Sequence, residues 1–115
     1  MTADEWRALV IAAAQTYWPA ALIDSPVVRA TRVKIRLKID EERLLDLFFR
    51  EETGRIDYSL IVGGQRAFGI DNLGGWHEHP LDDPDGHIPC DEPTPGEALR
   101  RLKAASDILP KSPAA

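Results

Sequence analysis

The sequence predicts an α+β domain: a four-stranded antiparallel meander, a helix at each end packed on one sheet face, and a long histidine-rich loop before the last helix. Three observations predict it. Residues 31–39 alternate apolar and charged without a break, three further strand-like runs follow in succession, and capped amphipathic stretches flank the block. Strands grouped between helices, rather than alternating with them, are the pattern of α+β architecture. A chain of 115 residues with 43% hydrophobic content suits a single domain, 1–115, with one core.

The first helix starts at Thr2-Ala3-Asp4-Glu5, which reads as a capping box. Trp6, Leu9, Val10, Ala13 and Tyr17 recur at helical spacing after it, and Pro19 ends it. From Val27 the period changes to two. Along Thr31 to Ile39, Val33, Ile35, Leu37 and Ile39 share one face and Arg32, Lys34, Arg36 and Lys38 the other. That charged face is either solvated and partly neutralised by cross-strand acids such as Asp46 and Asp57, or a cationic ladder for phosphates.

Arg43 to Arg50 is a second, more apolar strand. Thr53-Gly54 turns the chain into a third, with Ile56, Tyr58, Leu60 and Val62 on one face. Gly63-Gly64 has the spacing of a two-residue hairpin, and Gln65 to Ile70 completes the meander. At the other end, Thr94-Pro95-Gly96-Glu97 is a second capping box with Pro at the first helical position. Ala98, Leu99, Leu102, Ala105 and Leu109 form the apolar stripe of that helix, Pro110 stops it, and Lys111 to Ala115 is expected to fray.

Between strand and helix, Asp71 to Glu97 holds all three histidines (His77, His79, His87), the only cysteine (Cys90) and eight of the nineteen acids, with no Lys or Arg. Its Pro and Gly content predicts a loop, and a loop this long in a compact domain is usually functional or disordered. Trp, His and Cys argue for function. The acids also explain the net charge of -5, since the rest of the chain is mildly basic.

Three imidazoles and a thiol are good ligands for zinc or a related divalent transition metal, so His77, His79, His87 and Cys90 are the candidate metal set. Without a metal, a histidine pair supplies general base and general acid for cleaving a phosphodiester whose own 2′-hydroxyl attacks. That chemistry needs a cation for the phosphate oxygens, with Arg66 or the Arg32 to Lys38 ladder as candidates. Asp71-Asn72 is either an Asx turn or a carboxylate and amide aimed at the histidines. Asp82, Asp83 and Asp85 read as turn residues. Trp76 is either a pin for the loop or a stacking surface for a base, and Cys90 is otherwise an isolated thiol.

The basic alternating strand, the short meander, Phe68-Gly69-Ile70-Asp71-Asn72 and the histidines after it resemble the TumE-type toxins of prokaryotic toxin-antitoxin modules. The resemblance spans about Val27 to Leu109. It implies a small toxin with His77, His79 and His87 as its working site, Asp71 in support, RNA as substrate and a DNA-binding antitoxin as partner. A homodimer is a further option. The alternative is a non-enzymatic, metal-stabilised binding module whose acidic loop docks a partner protein. One cysteine excludes an internal disulfide, and with no leader or membrane span in view a cytoplasmic location is the expectation.

Overall fold

A computed structural model describes residues 1–24 and 27–110. The elements are α1 (Ala3–Tyr17), β1 (Leu22–Asp24), β2 (Val27–Arg29), β3 (Arg32–Lys38), β4 (Arg43–Arg50), β5 (Arg55–Val62), β6 (Gln65–Asp71), β7 (His77–His79), β8 (Ile88–Pro89) and α2 (Pro95–Ile108). No helix is long and apolar enough to cross a membrane. The expectation for Lys111 to Ala115 falls outside the described residues.

Both helix starts follow from their caps. Thr2 Oγ1 accepts the Glu5 amide while the Glu5 carboxylate accepts the Thr2 amide. At α2 only half of the expected box forms: Thr94 Oγ1 accepts the Glu97 amide, and the Glu97 carboxylate takes the Thr94 hydroxyl instead of its amide. The buried face of α1 is Ala3, Trp6, Val10 and Ala14; Leu9, expected in the stripe, is 49% exposed. Helical spacing alone admits either stripe, and Trp6 decides which one faces inward, because its ring stacks on Phe49 and its indole N–H donates to the Tyr58 hydroxyl at 3.1 Å. Burial, partly offset by that bond, pushes the Tyr58 hydroxyl up to about 12.

Strands β3 to β6 form an antiparallel meander, and Gly63 and Gly64 make the predicted hairpin with φ of +58° and +81°. Val33, Ile35 and Leu37 of β3, with Leu45, Leu47, Tyr58, Leu60 and Ile70 beyond them, bury one sheet face under the helices. Leu99 and Leu102 of α2 close the core on the helix side. Arg43, the first residue of β4, points to this same side and is 4% exposed. Its guanidinium donates to the carbonyls of Ser106, Leu109 and Pro110, satisfying groups that the end of α2 leaves without helical partners.

The sheet is larger than the four strands predicted. The described residues form eight antiparallel strands, seven of them in the path β1-β3-β4-β5-β6-β7-β8, with β2 also paired to β3. Residues 71–97 are therefore not one irregular loop. Gly74 and Gly75, at φ of +73° and +111°, reverse the chain so that His77–His79 pairs with Gly69–Asp71 and then with β8. Helices cover only one face. Across the other, register aligns Arg36, Asp46, Ser59, Gly69 and His79 in one row and Lys34, Phe48, Asp57, Asp71 and His77 in the next.

Candidate metal and acid-base site

The site lies at one end of the open face, where β6 and β7 pair. Alternation sends His77 and His79 to the open side, while Glu78 between them turns under the sheet to an ion pair with Arg101 of α2. Asp71 is directly opposite His77 and its side chain is 5% exposed. Its Oδ2 lies 2.9 Å from His79 Nε2; its Oδ1 lies 3.3 Å from His77 Nε2 and 3.1 Å from Arg55 Nη1, and accepts the Leu73 amide at 3.0 Å. Burial alone would raise the Asp71 carboxyl. The Leu73 amide, the His79 bond and the charges of His77 and Arg55 outweigh it and hold the group below the usual Asp value.

Asp71 thus makes the Asx turn and serves the cluster at once, since one oxygen reaches Leu73 and both reach imidazoles. Asn72 does neither. Its Oδ1 accepts the Ile56 amide at 2.9 Å and its Nδ2 donates to the Gly54 carbonyl at 2.7 Å, fastening the end of β6 to the start of β5.

The Gly75 carbonyl, 2.9 Å from His77 Nδ1, can only accept, so that nitrogen carries a hydrogen. In neutral His77 the lone pair then sits on Nε2, facing the Asp71 carboxylate and, at 3.1 Å, His79 Nε2. His79 Nε2–H donates to one neighbour only. His77 Nε2, His79 Nε2 and the Asp71 carboxylate thus converge with a single hydrogen between them, a set of donor atoms that a bound metal ion would satisfy. His79 is buried, and its Nδ1 has no hydrogen-bond partner among the described residues.

His87 completes the group from the exposed turn after β7. Its ring stacks on His77 at 4.6 Å between centroids and meets His79 edge-on at 4.8 Å. One nitrogen from each of the three histidines lies within 4.8 Å of the others. Asp82, Asp83 and Asp85 are exposed in the turn that delivers His87, held by the Asp83 amide to the Pro80 carbonyl and the Gly86 amide to the Asp83 carbonyl.

The structure brings His77, His79, His87 and Asp71 together, and not Cys90. The pairing of β7 with β8 puts Cys90 level with Trp76 on the helix side, where its amide donates to the Trp76 carbonyl. Burial pushes its thiol up, assisted by Glu78 and Asp91 and opposed by Arg101. Trp76 packs beside the core and its indole N–H donates to Glu92, which makes it a pin for the segment. Arg66 is on the open face, its stem crossing Gly69, the partner of His79. Arg55, which grips Asp71, escaped the sequence reading; the signal was its place two residues before Asp57, the cross-strand neighbour of Asp71. Comparison with family models, curated proteins and solved structures gives no match to this chain.

Proposed function

We propose that this chain is a toxin component resembling the TumE type, which cleaves RNA at the Asp71, His77, His79 and His87 cluster with a divalent transition metal, zinc foremost, as cofactor. The observation that carries the reading is the convergence of His77 Nε2, His79 Nε2 and the Asp71 carboxylate at 2.9 to 3.3 Å. Bonds of about 2.0–2.1 Å around a tetrahedral zinc set ligand atoms roughly 3.4 Å apart, so the donors are already spaced as the edges of such a site. Imidazole and carboxylate donors suit zinc and its neighbours.

A metal held there would polarise a phosphoryl oxygen and lower the pKa of bound water. The chain's own groups do the rest. The Gly75 carbonyl fixes the His77 ring by accepting from Nδ1, and Arg55 fixes the carboxylate that would share the metal with the two imidazoles. His87, which is exposed, would exchange a proton with substrate. Arg66 and the Arg32 to Lys38 ladder share the open face with the cluster and supply cations for the phosphate backbone, although Asp46 engages Lys34 and Arg36 at 4.0 and 3.9 Å. A DNA-binding antitoxin would silence the protein by covering this face.

Untagged protein analysed for metal and incubated with RNA tests the reading, with a His77→Ala, His79→Ala form as control. We expect about one metal per chain, RNA cleavage and slowed growth on expression, all lost in the control. Bound metal with intact RNA and normal growth would instead favour the metal-stabilised binding module. That alternative is favoured by one observation: His79 is buried, with its Nε2 engaged by Asp71 and His77.

A further inference from the structure

Phe48 is the aromatic residue that the alternation of β4 leaves on the open face. It lies in the row Lys34, Phe48, Asp57, Asp71, His77. The ring is half-buried and borders two hollows. One, of about 330 Å³, is bounded by Lys34, Asp57, Ser59 and Arg66; the other, of about 390 Å³, by Arg50, Asn72 and Gly74. Arg55 borders both.

The charges around the ring are unevenly satisfied. Asp57 is taken by Arg55 at 3.3 Å and by the Ser59 hydroxyl at 2.6 Å, while Asp46, which also lines the first hollow, is paired with Lys34 and Arg36 at 4.0 and 3.9 Å and makes no hydrogen bond through Oδ1. Arg66 makes no ion pair among the described residues, and its Nε is buried without a hydrogen-bond partner. Gly69 leaves room for its stem, since a Cβ there would stand 3.1 Å from Arg66 Cδ. A half-buried ring lining the same hollow as an unpaired guanidinium has the makings of a stacking platform with an anion clamp.

We infer that Phe48 and Arg66 form a nucleotide subsite for single-stranded RNA, in which Phe48 stacks on an unpaired base and Arg66 takes the adjoining phosphate. The inference rests on the phosphodiester reading of the histidine cluster and adds a position to it. Three strand spacings of about 4.8 Å put Phe48 roughly 14 Å from His77 along the row. The stacked base is therefore removed from the bond at the histidines rather than next to it. Stacking demands a free base face, so the subsite selects single strands over duplexes.

Binding and cleavage are measured separately, so that each can fail alone. The full chain carrying His87→Ala, to suppress cleavage, is titrated with a fluorescent RNA 12-mer as a single strand and as a duplex. The single strand should bind more tightly. Phe48→Leu should weaken it roughly tenfold, in the range of one lost base stack, without altering the salt dependence. Arg66→Gln should weaken it and reduce the slope of log affinity against log salt by about 1. Thermal melting of both variants establishes that they fold. No binding of the single strand, equal binding of the duplex, or unchanged binding by folded Phe48→Leu and Arg66→Gln would each overturn the subsite. Selective binding by the His87→Ala form together with intact RNA in the presence of wild-type protein would uphold the subsite and remove the catalytic reading.

Discussion

Asp71 and His79 meet at 2.9 Å where both side chains are almost wholly out of water, at 5% and 3% exposure. A carboxylate so placed is costly unless its lone pairs are satisfied. Here two imidazoles, a guanidinium and a backbone amide surround it. The ionised form is favoured despite burial, so the anchor of the cluster is an anion at all pH values above the ordinary Asp range. Whatever cation the histidines receive, its counter-charge is in place beforehand.

Asp71→Asn should therefore destabilise the protein at pH 7 by about 1–3 kcal/mol, the usual scale for a lost buried charge-assisted bond. The sign follows from the depressed carboxyl: its stabilisation is present above the unfolded value near 3.9 and is lost as pH falls through the lower folded value. Urea unfolding at pH 7 and at pH 3 should show a gap between wild type and variant that narrows in acid. A gap that widens in acid would mean that Asp71 is not held as an anion.

Cys90→Ala should leave metal content unchanged, whereas His77→Ala or His79→Ala should abolish it. The thiol lies under the sheet with Trp76, Glu78 and Arg101, and the imidazoles lie above it. Elemental analysis of the three variants checks this. With its thiol raised, Cys90 should also react slowly with iodoacetamide at pH 7.

Leu37→Asp should unfold the domain, because Leu37 is 0% exposed beneath the helices. His87→Ala should leave the melting of metal-free protein within about 0.5 kcal/mol of wild type, as expected for an exposed turn residue. Circular dichroism melts of both give the comparison.

Arg43→Met should cost about 2–4 kcal/mol, since the carbonyls of Ser106, Leu109 and Pro110 lose a shared donor. Hydrogen exchange should show the loss first at the end of α2. Metal binding should persist, because Arg43 is on the far side of the sheet from the histidines.

The parts of this fold legible in the sequence are those with repeated signals. Strict alternation over Arg32 to Lys38 and two Thr caps gave the central strands and both helices. Strands β7 and β8 were not legible, because His77-Glu78-His79 and Ile88-Pro89 are too short to show a period and contain or border proline. The histidine cluster was readable as a composition but not as a geometry. Cys90 is close in sequence to His87 yet faces the other way, since strand parity and not proximity decides the side. Arg43 is, in the sequence, only the first residue of a strand, and the tertiary position of α2 makes it a buried clamp.

The Glu78 to Arg101 pair has a consequence for fidelity of assembly. In β7 every side chain is committed to one side of the sheet, two imidazoles above and one carboxylate below. A slip of a single residue against β6 would lift Glu78 into the cluster and thrust the histidines against Ile70 and the apolar floor. No half-correct pairing exists. Arg101 thus acts as a proofreader: its partner is reachable in the register that also assembles the site, so a molecule in which Arg101 holds Glu78 is one whose histidines are already in position.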